Sequence, residues 1–108
     1  MRCIIRYNHH ERHLQFFIHG APHRRVHRAV LAKYREELWK AALDAGIKHT
    51  INHTVTVSAN FIDPTGPDLD NLIVALWQAL DGKTGKGPTI LADDRLIYRI
   101  KDMGIMFP

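Results

Sequence analysis

The sequence predicts an α/β (α+β) fold, a small mixed sheet packed with two main helices, for a single domain spanning residues 1–108. Three observations predict it. Short runs alternate apolar and polar residues with the period of two that a half-buried strand requires. Two longer runs repeat apolar residues at the spacing of one helical face. The two kinds of run then alternate along the chain, which is the order of a sheet carrying helices on its surface.

The first strand is expected in "RCIIRY", joined as a hairpin through the polar "NHHER" to "HLQFFIH", residues 13 to 19. In the second run Leu14, Phe16 and Ile18 face one way and Gln15, Phe17 and His19 the other, and Gly20 and Pro22 end it. From about Val26 to Ala45 the positions Val30, Leu31, Tyr34, Leu38, Ala41, Ala42 and Ala45 make one helical stripe, with Gly46 as terminator. "TVTVSANF" sets Val55, Val57, Ala59 and Phe61 against Thr54, Thr56, Ser58 and Asn60, a strand with one buried face, closed by the turn "DPTGP". Leu69, Leu72, Ile73, Leu76, Trp77 and Leu80 predict a second helix from about Asn71 to Leu80, stopping at Gly82. After the loop "KTGKGPT", "RLIYRIK" alternates as a last strand. Trp39 and Trp77 fall on or beside the apolar stripes and read as core or dimer-interface residues rather than base-stacking platforms.

A chain of 108 residues suits one compact domain, which buries about two-thirds of the surface its unfolded form exposes. Its 45% hydrophobic and 24% charged composition excludes a disordered or fibrous chain. No apolar run approaches the length of a membrane span. The single cysteine, Cys3, has no internal partner and suggests a reducing compartment, so a cytoplasmic location is expected. The formal net charge is +4. Four of the eleven acids lie in two tight groups, so the remaining surface is more basic than that total and suits a polyanion such as nucleic acid.

Those two groups carry the chemistry. In "GPDLDNLIVALWQALDG" Asp68 and Asp70 stand two apart beside Asn71 where a turn meets a helix, and "ILADDRLIYRI" holds the doublet Asp93 and Asp94 ahead of a strand. Backbone extended at 68 to 70 would face both carboxylates to one side, while Asp70 could cap the helix. Adjacent carboxylates repel unless a cation lies between them. Hard oxygen ligands suit magnesium or manganese, and such an ion activates water and neutralises charge at phosphorus. The expectation is that Asp68, Asp70, Asp93 and Asp94 converge on one divalent ion for phosphodiester hydrolysis.

"PDLDNLIVALWQALDG" followed by "ILADDRLIYRI" resembles the RusA-type Holliday junction resolvases, whose signature is Asp-x-Asp-Asn opening a helix and an Asp-Asp pair leading into a strand. "LQFFIHGAP" is similar to that family's first strand and Gly-x-Pro turn, so the likeness runs over roughly residues 14 to 102. The resemblance implies a small homodimer, often phage-encoded, that binds branched DNA and uses magnesium to cut two opposed strands of a four-way junction. It implies Asp68, Asp70 and Asp94 as the essential carboxylates, with Asp93 contributing and Asn71 fixing the turn. Two departures stand out: the family commonly has a lysine one helical turn after the second aspartate, where this chain has Val74, and basic residues ahead of the first, where it has Thr65 and Gly66. Lys83 and Lys86, in the following loop, are the candidates to supply the missing cation. A branched-DNA-binding protein with weak or no cleavage, or a nuclease of other branched DNA, is the alternative.

Arg24, Arg25 and Arg28, with His23 and His27, concentrate positive charge at the start of the first helix and are candidate phosphate contacts. The eight histidines do not show the spacing of a zinc site, since Gly20 and Pro22 interrupt the run that would align His19, His23 and His27.

Overall fold

A computed structural model describes residues 1–23, 26–83 and 87–107. It contains β1 (Arg2–Asn8), β2 (His13–His19), α1 (Arg28–Asp44), β3 (Val55–Ile62), α2 (Leu69–Leu80) and β4 (Ile97–Met106), with a single 3-10 turn, Asp94–Leu96, ahead of β4. This is an α+β fold with a four-stranded mixed sheet and two helices. Three of the expected substrate contacts, Arg24, Arg25 and Lys86, lie outside the described residues.

The hairpin forms where the alternation predicts it. Asn8 Oδ1 accepts from the backbone N–H groups of His10 and Glu11 at 3.0 and 3.1 Å, a side-chain substitute for a backbone turn. The strand order is β1-β2-β3-β4, with β1 antiparallel to β2 and the other two pairs parallel. Parallel neighbours need a crossover, and α1 and α2 are those crossovers. Because the strands succeed one another in one direction, right-handed connections bring both helices to the same face, where α1 packs against β1 and α2. The core lies between: Ile5, Phe16 and Ala59 form one buried row across the sheet, and Ile18 and Phe61 belong to the next.

Local differences from the expected boundaries have physical causes. α1 begins at Arg28 rather than Val26 and ends as predicted, with Gly46 at φ 87 and its N–H bonded to Leu43 O at 3.0 Å. β3 has two strand neighbours, so Thr56 and Ser58, expected on a solvent face, are buried; Ser58 Oγ meets His13 Nε2 at 2.7 Å. β4 runs five residues beyond the expected segment, to Met106, and its register against β3 shifts twice. Those shifts break its alternation and leave Tyr98 and Ile100, 66% and 49% exposed, on the sheet's free edge. Cys3 is half-buried, and loss of hydration with Glu37 nearby pushes its thiol up to about 12. Among the described residues no helix is long and apolar enough to cross a membrane.

Candidate metal centre

α2 begins two residues earlier than the pattern suggests, and this changes both aspartates of the first motif. Asp68 is the residue before the helix, with extended backbone (φ −91, ψ 104), and Asp70 already lies in the first turn. A helical residue turns by about 100° from its neighbour, so the shared orientation expected from extended backbone is lost. Asp68 makes no side-chain cap to the backbone. Instead Asn71 Nδ2 donates to Asp68 Oδ2 at 3.0 Å. The negative charges sit at the helix N-terminus, where the peptide dipoles favour them. The loop ahead is tied to the end of β2: Thr65 Oγ1 donates to Ala21 O at 3.0 Å and meets His23 Nδ1 at 2.9 Å. Gly66 lies against the His23 ring, where a Cβ would come within 2.7 Å.

The doublet is at the opposite end. A helix of 12 residues is about 18 Å long, and in a parallel strand-helix-strand unit the chain returns to the sheet beside the end where the helix stops. Asp93 and Asp94 precede β4 and therefore come back to the C-terminal end of α2. There they meet Asp81, the residue at which the helix stops. One carboxylate oxygen from each of Asp81, Asp93 and Asp94 lies within 4.8 Å of the others, and among the described residues this is the one such group of His, Cys, Asp or Glu side chains. The expected convergence of Asp68, Asp70, Asp93 and Asp94 is thus corrected to a trio that excludes the first two and recruits Asp81.

Local bonding builds this trio. Asp81 Oδ1 accepts from the Lys83 N–H at 3.0 Å, and Asp81 pairs as a parallel bridge with Leu91. Leu91 in turn bridges to Ile51, while the Ala92 N–H bonds to Ile51 O at 3.0 Å, fixing the segment just ahead of the doublet. Gly82 permits the approach: a Cβ there would lie 2.7 Å from Leu91 O. Asp93 is extended and its Oδ1 accepts from the Arg95 N–H at 2.9 Å.

The electrostatics follow from crowding. Asp93 is held below the usual carboxylate range, first by the Arg95 N–H bond and further by a hydrogen bond with Asp94 and the charge of Lys83. Asp94 is raised, first by loss of hydration, then by the negative charge of Asp81 and its bond to Asp93. Of the doublet, Asp94 is therefore the carboxyl whose ionisation is opposed and Asp93 the one whose ionisation is favoured. Lys83, exposed, acts on both carboxyls of the doublet, which places the candidate replacement cation at the Asp81 end of α2. Val74 is 49% exposed on the helix between the two acidic ends. Arg28 is exposed in the first turn of α1.

The donor set fits a small hard cation. Octahedral magnesium holds oxygens about 2.1 Å away, so adjacent ligand oxygens sit about 3.0 Å apart and opposite ones about 4.2 Å. A trio of carboxylate oxygens spread over at most 4.8 Å is comparable in span to such a ligand set. The missed member, Asp81, stands in plain view before Gly82 in "ALDG", but its importance depends on strand direction, which periodicity does not report. Comparison with models of known protein families, with curated proteins and with solved structures finds no match for this chain.

Proposed function

We propose that the chain is a magnesium-dependent endodeoxyribonuclease acting on branched DNA, four-way junctions above all, with the cation held by Asp81, Asp93 and Asp94. The observation that supports it is the mutual approach of these three carboxylates within 4.8 Å. The bound ion would supply an activated water and charge neutralisation at the scissile phosphate. The protein's own contribution is to orient the ligands: the Lys83 and Arg95 N–H groups each fix one carboxylate oxygen. The Lys83 ammonium, close enough to bias both doublet carboxyls, would meet the phosphate without itself binding metal. The excess of basic over acidic residues supports affinity for a polyanion that weakens with salt. A cytoplasmic homodimer, placing two such centres on a two-fold junction, belongs to the same reading.

A second reading is favoured by the separation of the two motifs. The family that the sequence resembles is expected to use Asp68, Asp70 and Asp94 together, and here they lie at opposite ends of α2. The chain would then bind branched DNA and not cut it. Labelled four-way junction incubated with magnesium distinguishes the two. The nuclease reading expects paired nicks from the wild type and Asp70→Asn, and none from Asp81→Asn or Asp94→Asn although both bind the junction. Binding without nicks in magnesium or manganese favours the second reading. Loss of cleavage in Asp70→Asn but not in Asp81→Asn would overturn the assignment of ligands.

A further inference from the structure

A groove of about 680 Å³ opens between α1, Gln78 of α2 and the segment at Pro88. This volume is in the range that encloses an organic ligand. Leu31 and the half-buried indole of Trp39 form its apolar wall, facing Pro88, with Arg28 and Arg35 among its polar groups. Among the described residues Glu36 is the one acidic lining residue and is paired with Lys40 at 3.2 Å, so the two arginines leave these residues with a net positive charge.

Arg35 is the informative residue. Its Nη2 donates to the carbonyls of Gln78 and Asp81 at 3.1 and 3.3 Å, closing the C-terminal end of α2. Its Nε–H is buried with no acceptor among the described residues. A buried donor without a partner is destabilising, and Arg35 is held in place by its two carbonyl contacts. An aromatic wall with a positive edge selects a flat ring that carries an anion.

We propose that this groove binds one unpaired nucleotide of DNA, its base against Trp39 and Leu31 and its phosphate toward Arg28 and Arg35. The inference rests on the reading of the chain as a DNA-acting protein and names the part of the substrate that reading leaves open: a nucleotide released from pairing next to the branch. A base on an aromatic face is recognised without regard to sequence.

The test titrates fluorescein-labelled tetrathymidylate into the full chain in EDTA, following anisotropy. Wild type is expected to bind saturably. Ala32→Phe, at an exposed α1 position lining the groove, fills the space and should weaken binding about tenfold, the loss of roughly one base stack, with its melting temperature unchanged. Arg28→Ala should weaken binding and reduce its salt dependence. Tryptophan quenching by unlabelled tetrathymidylate should persist in Trp77→Phe and vanish in Trp39→Phe. Equal affinity of wild type and Ala32→Phe, absence of saturable binding, or full competition by inorganic phosphate with none by thymidine would each overturn the proposal. With EDTA present and no cleavage read, failure here leaves the cation reading standing, and failure of magnesium-dependent cleavage leaves this one standing.

Discussion

Asp94 carries the clearest residue-scale consequence. Its pKa is raised by loss of hydration and by the neighbouring Asp81 and Asp93, so between the ordinary carboxylate value and the raised one the folded chain binds more proton than the unfolded chain. As pH rises from the ordinary carboxylate value through the elevated one, the unfolded state gains and the fold loses stability. Asp93 has the opposite sign: its pKa is depressed, and its contribution is lost as pH falls below the ordinary carboxylate value. Asp94→Asn removes the first effect. In EDTA at neutral pH it should melt above wild type, and the two should converge near about pH 3, where carboxyls are protonated. Magnesium should reverse the order, stabilising wild type by about 1.4 kcal/mol at ten times its Kd and leaving Asp94→Asn unmoved. Thermal melts across pH, with and without the ion, check both halves.

At the scale of elements, Gly82 decides whether α2 can stop where Asp81 meets the doublet. Its missing Cβ leaves room for the Leu91 carbonyl, which is backbone and cannot rotate away. Gly82→Ala should therefore destabilise by about 1–3 kcal/mol and lower the melting temperature by about 4–8 °C per kcal/mol, and the magnesium-induced shift should shrink with it. The elements themselves were legible because their apolar spacings are local: Leu14, Phe16, Ile18, Leu72, Leu76 and Leu80 fall in the core as read, with Ile73 and Trp77 half-buried against it. Strand direction was not legible. Nothing in "ILADDRLIYRI" states that β4 runs parallel to β3, yet that fact sends Asp93 and Asp94 to the far end of α2 from Asp68. Thr56 and Ser58 were misread for a related reason: alternation marks the two faces of a strand but not how many neighbours cover them.

At the scale of the whole molecule, the sheet has one face under the helices and one without them, and a long outer strand bonded on one side only. β4 carries exposed Tyr98, Ile100 and Met106 and among the described residues has β3 as its one strand neighbour. The doublet stands just ahead of that strand, whereas Asp81 belongs to the helix layer. An ion shared among them would add a clasp to the backbone bridge from Asp81 to Leu91 that already joins the two. Amide hydrogen exchange in Ile97–Met106 should slow in magnesium more than exchange in β1, the other outer strand, and Asp81→Asn should abolish the difference. Such a clasp would join catalysis to rigidity: the same ion that prepares the phosphate would also decide how long the rim of the sheet stays shut.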